Sequence, residues 1–261
     1  MAADQYDHLF LCDKDSDVTL VIGDYEIPAH RFILSKRSEY FKAMFSSIFR
    51  DAGSEKIVLY ETNLNAFKRV LDYIYTGKTF AQYNRWYSTR CEDTTSISFE
   101  QMFEILTCAQ YYMVDEFIKC IVSILKNRGR DAPFSLLNNA LAYSFDELIL
   151  YATDLILEKV SDNLNERFFE NLSPLAVKHL LTQRLDTLEP DIFKALVWWM
   201  RRNSVHSHAF PQLLELVELH LLDETQLDIL FQPTPLIQRD SYKTLLTEQR
   251  EPALKVQKSH Q

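Results

Sequence analysis

The chain has 261 residues, of which 47% are apolar and 13% aromatic, enough for one large core or two ordinary ones and too many for a disordered polymer. Its formal charge of -9 disfavours phosphate-rich partners, so neither nucleic acid nor an acidic membrane surface is expected to bind. Four glycines, Gly23, Gly53, Gly77 and Gly129, are too scattered for a phosphate loop or a nucleophile elbow.

Residues 1–17 carry Asp4, Asp7, Asp13 and Asp15 and no apolar run that would serve as a signal peptide or membrane span. The β-branched run Asp17-Val18-Thr19-Leu20-Val21-Ile22, the turn pair Gly23-Asp24 and Tyr25-Glu26-Ile27 predict a hairpin. Residues 30–45 then place Phe32, Ile33, Tyr40, Phe41, Met44 and Phe45 at helical offsets, with Ser35 and Ser38 as punctuation between two helices. A third strand is predicted over 56–60 and a helix over 65–75, stopped by Gly77. Residues 80–98 lack any apolar period and read as an inserted loop or arm, after which 99–124 resume as two helices broken near Tyr112-Met113.

Charge, Gly and Pro at 127–133 mark the domain boundary. Beyond it only helices are predicted, over 134–143, 146–160, 164–172, 173–181, 190–202 and 210–222, with Ser173-Pro174 and Glu189-Pro190 as starts. The polar tail, 238–261, holds Leu245, Leu246 and Val256, too few for a core, and is expected to fray or be disordered. The domains are therefore drawn at 1–126, with the insertion at 80–98, and at 133–237.

Asp17-Val18-Thr19-Leu20, Ala29-His30-Arg31-Phe32-Ile33-Leu34, Ser38-Glu39-Tyr40-Phe41-Lys42-Ala43-Met44-Phe45 and Tyr73-Ile74-Tyr75-Thr76-Gly77 resemble, in order, the successive signatures of BTB/POZ domains. The match covers about residues 10–125. The helical remainder, with Trp198-Trp199, is similar to the BACK domain that follows BTB in kelch-like and BTB-BACK-discoidin-type adaptors. The resemblance implies an α+β BTB/POZ domain, a small sheet capped by helices, followed by an all-α BACK-type domain. No kelch, discoidin or zinc-finger pattern follows Pro235, so it leaves substrate choice open.

The function implied is that of a non-catalytic, dimeric adaptor recruiting a protein substrate to a cullin-3 RING ubiquitin ligase. The alternative is a BTB-BACK scaffold or transcriptional co-regulator that binds no cullin. The family's cullin contact, a hydrophobic-x-Glu motif, is resembled by Phe49-Arg50-Asp51 with Asp for Glu, and Tyr112 matches a family tyrosine that also touches the cullin. Phe49 folding back on the core and Tyr112 packing at a helix hinge stay open beside those roles. Leu9, Phe10, Leu11, Phe32 and Ile33 match the family's dimer interface, and Asp17 and Arg31 its paired, partly buried charges.

No catalytic residue, cofactor or metal is expected. His30 lacks a neighbouring nucleophile, and His206 and His208 lack further ligands at suitable spacing. Cys12, Cys91, Cys108 and Cys120 form neither a zinc signature nor a disulfide framework, which suits a reducing cytoplasm or nucleus.

Overall fold

The structure is a computed structural model that describes residues 6–46, 53–78, 97–160, 164–183 and 185–258. The chain divides into two compact units, Met1–Arg128 and Gly129–Gln261.

In the first unit β1 (Val18–Ile22) and β2 (Tyr25–Ala29) form an antiparallel hairpin around Gly23, whose φ of 57° a residue without a Cβ takes at little cost. β3 (Lys56–Val58) joins the other side of β1 in parallel, giving the order β2-β1-β3. Val18, Leu20 and Ile22 alternate inward along β1, and Leu20 stands in register with the core residues Ile27 and Ile57. The predicted helical stretch splits at Ser38 into α1 (Arg31–Arg37) and α2 (Glu39–Met44).

Next comes α3 (Leu64–Thr76), capped by the Asn63 side chain, which accepts the backbone N–H groups of Asn65 and Ala66. Phe67, Val70, Leu71 and Ile74 form its buried face, and Gly77 ends it with φ 65°. Arg37 donates to the carbonyls of Tyr73 and Ile74 at 3.0 Å each, pressed so close that a Cβ on Gly77 would lie 2.6 Å from its guanidinium. α4 (Phe99–Tyr111), opened by a Ser98–Gln101 capping box, and α5 (Asp115–Gly129) complete the unit.

Ahead of the hairpin lies a short 3-10 turn, Asp7–Leu9. Phe10 meets the Tyr75 ring edge-on at 5.9 Å, and Asp7 is ion-paired with Lys78. Near them on α3, Asp72 is 4% exposed. Burial raises its carboxyl to about 7, with Arg69 and Lys78 opposing the rise and Asp7 adding to it.

Helices make up the regular structure described in the second unit: α6 (Pro133–Ala142), α7 (Asp146–Leu157), α8 (Pro174–Thr182), α9 (Glu189–Arg202), α10 (Phe210–Leu214), α11 (Glu224–Leu227) and α12 (Arg239–Lys258). Its core holds Leu136, Leu180, Phe193, Trp199 and Phe210, and the Trp199 indole donates to the Leu172 carbonyl at 3.0 Å. His179 on α8 lies 2.9 Å from the Thr153 hydroxyl. That hydroxyl already donates to the Ile149 carbonyl, so the imidazole N–H is the donor, and burial lowers the His179 pKa.

Three expectations for this unit need correction. Residues 164–172 form consecutive turns instead of a helix, because the Asn165 carbonyl side chain takes the Arg167 N–H at 2.9 Å and competes with helical bonding. The predicted helix over 210–222 stops at Leu214 and resumes as a 3-10 turn, Leu219–Leu221. The tail is not disordered over 239–258 but is α12, with Leu245 buried, Tyr242 edge-on to Phe231 at 5.4 Å, and Gln249 bonded to Val217 and Leu219. Few apolar residues suffice there because the amide of Gln249 saturates main chain that would otherwise be unpaired. Among the described residues no helix is long and apolar enough to cross a membrane.

Candidate functional site

Ser38 is the hub of an aromatic junction in the first unit. Its hydroxyl accepts the Phe41 N–H at 3.1 Å as the N-cap of α2 and donates to the Tyr112 carbonyl at 2.6 Å, while the Glu39 N–H reaches the Met113 carbonyl at 3.3 Å. One serine thus ties the α1–α2 corner to the α4–α5 turn. In that turn Met113 takes φ 51°, a left-handed value uncommon for a residue with a side chain, so the chain reverses within two residues of α4.

Tyr112 faces inward and is 1% exposed. Its ring stacks on Phe41 at 5.3 Å and meets Phe67 edge-on at 4.8 Å, and its hydroxyl lies 2.7 Å from that of Thr62. Since Thr62 donates to the Tyr60 carbonyl, the Tyr112 phenol donates to Thr62; burial pushes its pKa up and keeps it neutral. The implied cullin contact at Tyr112 is therefore a core residue in this structure, which a partner meets only through its neighbours.

Those neighbours face out. Tyr111 is 58% and Met113 52% exposed, and Tyr40, half-buried at the start of α2, lies 5.5 Å from Tyr111. Burial, then the Tyr111 hydroxyl beside it, raises the Tyr40 pKa. The result is an aromatic and thioether patch at this corner; Phe49, Arg50 and Asp51 lie outside the described residues. Sequence reasoning missed Tyr40, Tyr111 and Met113. The signal was the adjacent Tyr111-Tyr112 pair at a helix end, where successive side chains point about 100° apart and only one can enter the core.

The residues assigned to a dimer face separate. Leu11 and Phe32 are exposed, Phe32 by 68%, and Tyr6 stands edge-on to Phe32 at 6.3 Å; Leu9 and Phe10 are half-buried. Ile33 is buried in the core of its own unit, because it follows Phe32 on α1 and points to the opposite side. Asp17 and Arg31 do not form the partly buried ion pair expected. Exposed Asp17 accepts the Arg31 backbone N–H at 2.8 Å, satisfying a donor at the start of α1, while the Arg31 guanidinium reaches the Ser54 carbonyl at 2.6 Å and lies 4.8 Å from the Phe45 ring centre.

The other candidates for chemistry are accounted for by packing. His30 is buried, with Nε2 2.9 Å from the Lys14 carbonyl and Nδ1 2.9 Å from the Tyr75 hydroxyl. A carbonyl only accepts, so Nε2 carries the proton, Nδ1 accepts from Tyr75, and the Tyr75 oxygen accepts the His30 N–H at 3.0 Å. Burial pushes the Cys108 thiol up to about 12, far from a reactive thiolate. His206 stacks on Trp199 at 6.4 Å, and among the described residues no three His, Cys, Asp or Glu side chains gather as metal ligands.

A model of the BTB/POZ domain matches residues 6–128, and one of the domain described as "BTB And C-terminal Kelch" matches residues 134–232. The human protein named BTB/POZ domain-containing protein 9 is 28% identical over 239 residues, 89% of this chain and 36% of the relative. Its Drosophila melanogaster namesake is 28% identical over 244 residues, covering 92% of this chain and 31% of that one. Human Kelch-like protein 7 is 26% identical over 229 residues, 85% of this chain and 36% of the relative. The chain thus spans about a third of the length of these relatives. Among solved structures, the BTB domain of zebrafish PATZ1 is similar over 44% of this chain and 82% of its own, with 23% identity and a TM-score of 0.33.

Proposed function

Because the chain belongs to the BTB-BACK family, with a BTB/POZ domain over 6–128 and a BACK domain over 134–232, a family of protein-interaction adaptors, we propose that it recruits a protein substrate to a cullin-3 RING ubiquitin ligase. The observation that supports this is the surface patch of half-buried Tyr40 with exposed Tyr111 and Met113. Aromatic and Met side chains at the surface around an aromatic core are the composition of a protein-binding hot spot, and the motif-like Phe49-Arg50-Asp51 follows α2 in the sequence. In this reading the adaptor performs no chemistry. It acts as a homodimer in the cytoplasm or nucleus, joined through the surface that includes Leu11 and Phe32, and raises the effective concentration of substrate near the ligase.

Calorimetric titration of the full chain with an N-terminal fragment of cullin-3 tests the reading. Phe49→Ala is expected to weaken binding by about 2 kcal/mol, roughly thirty-fold, without lowering the thermal midpoint. A folded, dimeric wild-type protein that gives no heat with the fragment leaves the scaffold or co-regulator reading standing. The burial of Tyr112 favours that second reading, since it withdraws one implied contact.

A further inference from the structure

The second unit holds a groove of ≈ 440 Å³ between the start of α6, the end of α7 and the turns at 164–172. Its apolar wall is formed by Phe134, Leu155, Ile156 and Phe168, and its two charged lining residues, Lys159 and Arg167, are both basic. Phe134 is half-buried, its ring edge-on to Phe168 at 5.3 Å, so aromatic surface stays open inside the groove.

Arg167 continues the site outward. Its guanidinium lies 5.9 Å from the ring centre of Trp198, and that of Arg202, at the end of α9, lies 4.5 Å from the same indole. Two guanidinium groups thus share one ring. No ion pair neutralises either of them among the described residues, and the nearby acids Glu166 and Glu170 do not line the groove. Both guanidinium groups are exposed, and a carboxylate bound beside either would gain charge-assisted hydrogen bonds. In a chain of net charge -9 this local excess of cation is a departure from the background.

We infer that this groove docks an acidic peptide segment of a protein partner, seating one apolar side chain on Phe134 and Phe168 and flanking carboxylates on Arg167 and Arg202. The volume admits one or two side chains and not a folded domain. Planar guanidinium groups held against an indole are preorganised for bidentate carboxylate binding, which limits the entropy lost when the peptide docks. The surface belongs to the helical unit and does not depend on the cullin reading.

The test is selection of a random peptide library, displayed on phage, on the full chain, followed by fluorescence polarisation with the recovered peptides. The expected result is enrichment of sequences with Asp or Glu flanking a Leu, Met or Phe. Their affinity should fall at least ten-fold in an Arg167→Gln/Arg202→Gln variant whose circular dichroism and urea midpoint match the parent, and weaken as salt rises. Replacing the apolar residue of the peptide by Ala should produce a loss of similar size. If that variant is not folded, each single Gln substitution is measured instead against the same ten-fold criterion, applied to the larger loss. Failure to enrich any sequence over the bare support, recovery of peptides without acids, or equal binding by the variant would overturn the proposal. So would preferential binding of a single-stranded DNA oligonucleotide that the same substitutions abolish, which would assign the cations to phosphate.

Discussion

The two units each place an adjacent aromatic pair late in a helix, and each pair divides its labour the same way. In the first, Tyr112 is sealed against Phe41 and Phe67 while Tyr111 faces out. In the second, Trp199 is sealed with its indole N–H on the Leu172 carbonyl, while Trp198 stays half-buried at the surface. What differs is the company of the outer ring: Tyr40 and Met113 around Tyr111, Arg167 and Arg202 on Trp198. The inner member fixes the helix, so the outer one is held rigidly, and its neighbours decide whether the surface suits an apolar partner or an anionic one.

The largest effect should come from the inner members. Tyr112→Ala and Trp199→Ala are each expected to cost about 3–5 kcal/mol in urea unfolding, the range for truncating a fully buried aromatic. A loss below about 1 kcal/mol at either position would break the analogy between the pairs.

The units should also respond to pH in opposite directions. Asp72 has a folded pKa near 7, above the value of about 3.9 for an unfolded chain, so the stability it contributes is complete below about pH 4 and is lost as pH rises through 7. Asp72→Asn should remove that slope, leaving the variant more stable than the parent at pH 8 by on the order of 2 kcal/mol. His179 has the reverse sign: its folded pKa is depressed, so its contribution is complete above about pH 6.5 and is lost as pH falls. Hydrogen exchange of peptides from α3 and α8 between pH 5 and 8, corrected for intrinsic rates, should therefore show protection falling with pH in the first and rising in the second.

Gly77→Ala sharpens the picture at α3 alone. The new Cβ meets the Arg37 guanidinium and forces an L side chain to φ 65°, for an expected cost of about 1–3 kcal/mol by thermal unfolding. The smallest effects belong to the outer members. Tyr111→Ala and Trp198→Ala should each change stability by less than about 1 kcal/mol, because solvent already reaches both rings. A larger loss would show that the outer ring is structural as well.

Much of the architecture was legible because local rules and tertiary packing agree. The β-branched run became β1, the apolar period of α3 became its buried face, and Gly77 ended that helix with the left-handed φ its position required. The turns at 164–172 have a local cause at Asn165, whereas the misreadings at 210–222 and in the tail have a long-range one. Nothing near 217–219 announces that Gln249 will bind that main chain, and those two bonds anchor the helix in the tail. At the junction the sequence marked Ser38 only as punctuation, since its bond to the Tyr112 carbonyl spans 74 positions. Exposure was equally hidden: Phe32 and Ile33, or Tyr111 and Tyr112, are similar in hydropathy, and only the direction of each side chain separates surface from core.

The parallel pairing of β3 with β1 bears on how the chain reaches this structure. β1 and β2 can zip through a tight turn as soon as both exist, whereas Leu20 meets Ile57 only after the intervening segment, with α1 and α2, has folded back across the sheet. Loop closure over that distance sets its entropic cost before any strand contact offsets it. A kinetic order follows in which the hairpin forms early and β3 docks late, with the edge of β1 unpaired in the interval. Nascent or refolding chains are thus most open to mispairing with one another at β1, and stabilising α1 and α2 should shorten that exposure more than strengthening the strands themselves.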